Sequence, residues 1–150
     1  MDTNPEIGLS IDVDGITTNY HRAGSGPVVV HGSGPGVSAW ANWRLTIPAL
    51  AEHFTVIAPD IVGFGFTDRP EGFDYSLDTW RALLLGFADA LGLDRFSIVG
   101  NSFGGALALS MAAHQPERVD RLVLMGAAGV PFPITHGLDR VWGYEPSLAA

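Results

Sequence analysis

One pentapeptide carries the most chemistry. Gly100-Asn101-Ser102-Phe103-Gly104 is a G-x-S-x-G. Five residues alone mean little, because glycine and serine are common. The context adds the weight: a short apolar run ends just before it and a helical run starts just after. A chain that turns from strand to helix within a few atoms holds the serine in a strained conformation and thrusts its hydroxyl out of the sheet. Gly100 and Gly104 leave room for the bend, and Gly105 allows close helix packing. The helix N-terminus directs free N–H groups at the same place. Ser102 is therefore the candidate nucleophile, against the plainer reading of a packing or phosphate-binding turn. A second segment, His31-Gly32-Ser33-Gly34-Pro35-Gly36, follows another short apolar run. Its backbone N–H groups suit a developing oxyanion, with the N–H of Phe103 as the other donor.

These residues need a frame. Leu9 to Asp14 and Ile16 to His21 alternate polar and apolar types, which predicts a hairpin turning at Asp14-Gly15. Val28 to Val30, Phe54 to Ala58 and Phe96 to Val99 read as strands buried on both faces. Arg121 to Met125 reads as a further strand. The six residues from His31 are expected to lie outside regular structure. Ser38 to Glu52 is helical but broken at Pro48. Ser76 or Asp78 caps a helix to about Leu91, ended by Gly92, and Phe103 to His114 forms another. Strands alternating with helices predict an α/β fold, mostly a parallel sheet with helices on both faces. After Gly126 the texture changes: residues 127–150 have no clear period.

Composition sets bounds. The chain has 150 residues, 16 acidic and 8 basic, and all of the basic ones are arginine. One domain fits that length. A formal charge of −8 offers no footprint for nucleic acid. Without cysteine there is no disulfide framework or thiolate metal site. No apolar run reaches the ~18 residues of a membrane span, and the opening Met1 to Gly8 is no signal peptide. The expectation is a cytoplasmic protein with no membrane partner.

The motifs together resemble the α/β-hydrolase fold, and more narrowly the meta-cleavage product hydrolases. The resemblance is carried by HGSGPG, SAWANWR, APDIVGFGFTDRP, GNSFGGALAL, PERVDRLVLMG and the proline-rich GVPFPIT run. It is nearest to the 2-hydroxymuconate semialdehyde hydrolases. The resemblance implies a serine hydrolase that cleaves a carbon–carbon bond in 2-hydroxy-6-oxo-dienoates from aromatic degradation. It implies no cofactor and no metal, a small-molecule dienoate as substrate, and self-association. It makes Ser102 the nucleophile and the N–H groups of Ser33 and Phe103 the oxyanion hole, with Gly34 lining the same loop. Asn42 and Asn101 would hold the dienoate, although an elbow-shaping Asn101 and a helix-surface Asn42 remain open. Asp60 looks like a loop-bracing acid. Residues 1–126 correspond to the N-terminal part of the core and 127–150 to the start of the lid.

The pattern also departs from the family. The triad order is Ser, Asp, His, and the last two are expected beyond position 150. After Ser102 there remain Glu117, Asp120, Asp139, Glu145, His114 and His136. Of these, His114 stands at the far end of its helix, roughly 18 Å away. The 150 residues alone are expected to be inactive, and the strand near Leu122 to Met125 to be an unpaired apolar edge. The Val28 to Val30 strand looks about two residues short against the family. A carboxylesterase-like enzyme and a non-catalytic scaffold are the alternatives.

Overall fold

The computed structural model describes residues 4–32 and 37–129. A hairpin opens the chain: β1 (Leu9–Val13) pairs antiparallel with β2 (Ile16–Ala23), with Val13 opposite Ile16. The two residues between them, Asp14 (φ 52°) and Gly15 (φ 81°), both take the left-handed conformation that a tight two-residue hairpin turn demands. Next come β3 (Val28–Gly32), α1 (Ala39–Trp43), α2 (Ile47–Ala51) and β4 (Thr55–Pro59). After them follow α3 (Leu77–Ala90), β5 (Phe96–Asn101), α4 (Phe103–His114) and β6 (Val119–Met125). The sheet order is β1-β2-β4-β3-β5-β6. Strands β4, β3, β5 and β6 run parallel, and β2 joins β4 antiparallel.

The period of two along each strand divides the core between the two faces. Val30, Ile57, Phe96 and Ile98 pack with Leu84 and Phe87 of α3 and Leu107 and Met111 of α4. Val56 and Ala58 point the other way, onto Ala39, Trp43 and Ile47 of α1 and α2. Ile57, Ile98, Leu107 and Met111 lose all contact with solvent. Each such side chain contributes about 1.5–3 kcal/mol by burial. Helices therefore cover both faces, as the alternation of elements predicts.

Three expectations need correction. The strand from Val28 is not short: it runs through His31 and Gly32, which pair with Val99 and Gly100, and it is as long as β4. Glycine fits there because a Cβ at Gly32 would sit 3.1 Å from the Gly104 carbonyl oxygen. In a strand, glycine marks a close backbone approach as readily as a loop. The helical stretch before β4 breaks at Arg44–Thr46, not at Pro48, which sits in the first turn of α2. Proline is tolerated there because that N–H has no intrahelical partner. Strand β6 begins at Val119, two residues before the predicted Arg121, and so includes Asp120.

Strand β6 is the last in the sheet among the described residues, with Val123, Leu124 and Met125 each 40–49% exposed. The expected lid start falls mostly on residues 130–150, outside the described residues.

Candidate active site

Strand β5 ends at Asn101 and α4 begins at Phe103, so Ser102 alone makes the turn. Its backbone sits at φ 54°, ψ −117°, where only glycine rests without strain. Such a conformation costs about 1–3 kcal/mol and persists only where the surroundings over-determine it. Here they do. The Ser102 N–H donates to the Met125 carbonyl at 2.9 Å, and the Ser102 carbonyl accepts from Gly105, Ala106 and Ala128. The residue is exposed.

Glycines make the bend possible. A Cβ at Gly100 would lie 2.3 Å from the Gly104 carbonyl oxygen and 2.6 Å from the Gly105 Cα. One at Gly105 would lie 2.6 Å from the Ala127 Cβ. Both glycines do what their spacing in the sequence predicts. Phe103 opens α4, so its N–H precedes the intrahelical ladder and is free to face a ligand. Its ring is braced edge-on by Trp80 of α3 at 4.9 Å, and the Trp80 indole N–H is anchored to the Val62 carbonyl. Ser33 and Gly34 lie outside the described residues.

Asn42 and Asn101 come together across the sheet end. The Asn101 amide approaches the Asn42 Oδ1 at 3.5 Å, a long contact. The Asn42 Nδ2 is buried and has no hydrogen-bond partner. A buried donor left unpaired costs about 1–3 kcal/mol.

Asp60 is structural, as the resemblance implies. It is 2% exposed. Its Oδ1 accepts from the Ala39 N–H at 2.5 Å, and its Oδ2 from the Asn19 side chain and the Phe66 N–H, both at 2.8 Å. It thus ties the start of α1 to the loop after β4. The sequence reading missed the network here: Asn19 and Thr67, which bond Asp60, and Glu6 and Ser38, which bond each other and join it through Asn19. Of these only Ser38 left a signal, as a serine at a helix start.

Other candidates stand apart. His114 is held by the Ser110 carbonyl, one helical turn back. Asp120 pairs with Arg95 near the start of β6, at the opposite end of the sheet from Ser102. No group of three metal-binding side chains occurs among the described residues. No described helix is long and apolar enough to cross a membrane.

This fold and this elbow define a hydrolase scaffold. Residues 26–147 match the family model of the alpha/beta hydrolase fold, and the chain belongs to that family. Among curated proteins, it is 62% identical over 147 residues to a 2-hydroxy-6-oxo-2,4-heptadienoate hydrolase of Pseudomonas putida. It is 56% identical over 148 residues to a 2-hydroxymuconate semialdehyde hydrolase of a Pseudomonas species. Each match covers 97% of this chain, and the chain spans about half of each relative, 53% and 52%. Among solved structures, a meta-cleavage product hydrolase of Pseudomonas fluorescens, complexed with acetates, superposes with a TM-score of 0.85 at 60% identity. That match covers 96% of this chain and 54% of the other.

Replacing Ser102 with glycine removes the strain along with the hydroxyl. The Ser102→Gly variant is expected to be about 1 kcal/mol more stable, after the added chain entropy of glycine is counted. A melting temperature about 3 °C higher checks it; a lower one means the turn is not strained.

Proposed function

We propose that this chain supplies the nucleophile half of a serine hydrolase that cleaves a carbon–carbon bond in 2-hydroxy-6-oxo-dienoates. The backbone of Ser102 carries the reading: a strained, exposed serine at the mouth of a helix, held from both sides. The dienoate class is supported by the named activities of the relatives and by the unpartnered Asn42 amide, which suits an enol or carboxylate oxygen. In this reading the N–H groups of Phe103 and Ser33 receive the oxyanion, Gly34 lines the same loop, and Asn101 holds the dienoate beside Asn42. Residues 127–150 begin a lid. No step calls on a cofactor. Whether the serine adds to the 6-oxo carbon itself or assists water is a choice the chain's own groups permit either way.

The test joins this chain to the C-terminal half of the Pseudomonas putida relative. The fusion is expected to consume dienoates in preference to nitrophenyl esters. Within it, Asn42→Ala is expected to raise KM for the dienoate about tenfold, the loss of one net hydrogen bond. Preference for the esters would instead make the site that of a carboxylesterase. Failure of a fluorophosphonate to label Ser102 in the fusion would leave only a scaffold.

A further inference from the structure

Helix α1 has five residues, far below the length at which a helix holds itself together. Yet it carries Asn42, whose placement beside Asn101 is the polar half of the site. Something outside the helix must fix it. The Ala39 N–H is held by Asp60, and the Ala41 N–H by the Ser38 hydroxyl at 3.2 Å. The Ser38 hydroxyl, in turn, donates to the carboxylate of Glu6. Ser38 is 4% exposed and Glu6 is half-buried, so the contact is partly sheltered from water.

Glu6 is itself anchored. Its carbonyl accepts from the Asn19 side chain at 3.2 Å and from His21 Nε2 at 3.1 Å. The His21 ring packs at a tilt against Trp40 of α1 with centroids 5.0 Å apart. Asn19 also binds the N–H of Gly8 and the Asp60 carboxylate. The segment before β1 is thus fastened to the sheet by its backbone, which leaves the Glu6 side chain to reach α1.

The geometry points to Glu6 as a positioning residue: through the Ser38 hydroxyl it orients α1, and so sets the Asn42 amide against Asn101. This rests on the reading of Asn42 and Asn101 as the dienoate contacts, but the relay can be measured without any ligand. A carboxylate acting only as acceptor is replaceable by an amide oxygen, whereas a methyl is not.

The experiment follows the side-chain amide resonances of Asn42 and Asn101, and the hydrogen exchange of the Ala41 and Asn42 N–H groups, in the ligand-free 150-residue chain. In Glu6→Ala both side-chain signals are expected to shift, and exchange of the two N–H groups to quicken about tenfold. Glu6→Gln is expected to restore both. Ser38→Ala should reproduce Glu6→Ala, and the double variant should add nothing further. A lower melting temperature for Glu6→Ala with unmoved Asn42 and Asn101 signals would reduce Glu6 to a surface contact and overturn the relay. So would a Gln variant that fails to restore them. Loss of dienoate turnover in the fusion, with the relay intact, would instead count against the functional reading alone.

Discussion

Purified alone, the 150-residue chain is expected to consume a 2-hydroxy-6-oxo-dienoate about 10⁶-fold more slowly than a full-length relative. A serine hydroxyl is a weak nucleophile at neutral pH unless a base takes its proton. No described side chain stands ready for that. His114 is separated from Ser102 by the length of α4, about 18 Å. His21 is engaged with the Glu6 carbonyl and Trp40, and His53 is exposed beyond the end of α2. Asp120 lies five residues down β6 from Met125, whose carbonyl receives the Ser102 N–H, about 16 Å away. Asp60 lies just past the end of β4, but both of its oxygens already accept hydrogen bonds. The elbow and the Phe103 N–H remain, and such remnants support only a residual rate above water. Absorbance of the dienolate, followed over hours against a full-length relative, checks the expectation. Turnover within a hundredfold of that relative would show that a base exists where none is described.

Much of this site was legible because local physics wrote it into the chain. The two-residue turn at Asp14-Gly15, the Ser76 cap, the stop at Gly92 and the bounds of α4 each follow from the residue at that spot. The elbow was legible for the same reason: Gly100, Ser102 and Gly105 satisfy a single local bend. What was less legible depends on partners far off in sequence. His31-Gly32 reads as loop by composition and becomes strand only because Val99 and Gly100 are there to pair with it. Gly32 in particular is read correctly only once the Gly104 carbonyl is known to approach it. The break between α1 and α2 was assigned to the residue with the strongest signal, Pro48, although a proline in a first turn disrupts nothing. The Glu6–Ser38 contact spans thirty-two positions and has no periodicity to betray it. Sequence reading thus found the strained turn at Ser102 and missed the network that fixes α1 beside it.

Asp60→Ala is expected to destabilise the fold by about 4 kcal/mol. The carboxylate is almost wholly buried and receives three donors. Removing it strands the N–H groups of Ala39 and Phe66 and one N–H of Asn19, each at about 1–3 kcal/mol, with partial relief as water enters. The loop after β4 loses its centre too. A Cβ at Gly65 would lie 2.1 Å from Oδ2, so the chain there was folded tightly around the carboxylate. The Thr67 hydroxyl donates to the Asp60 carbonyl and accepts from the Asn19 N–H, and these two contacts survive the truncation. Survival of that backbone frame is why the fold should weaken rather than vanish. Asp60→Asn keeps one acceptor but turns an amide NH₂ toward donors, so it should recover only part of the loss. Urea unfolding of the three proteins separates the cases: a loss below about 1 kcal/mol for the alanine variant would mean that water replaces the carboxylate freely. The same variant frees the first N–H of α1, so Asn42 should lose its place beside Asn101 even where the sheet remains folded. Stability and the Asn42–Asn101 geometry are joined at this one carboxylate, because the helix carrying Asn42 is too short to hold its own position.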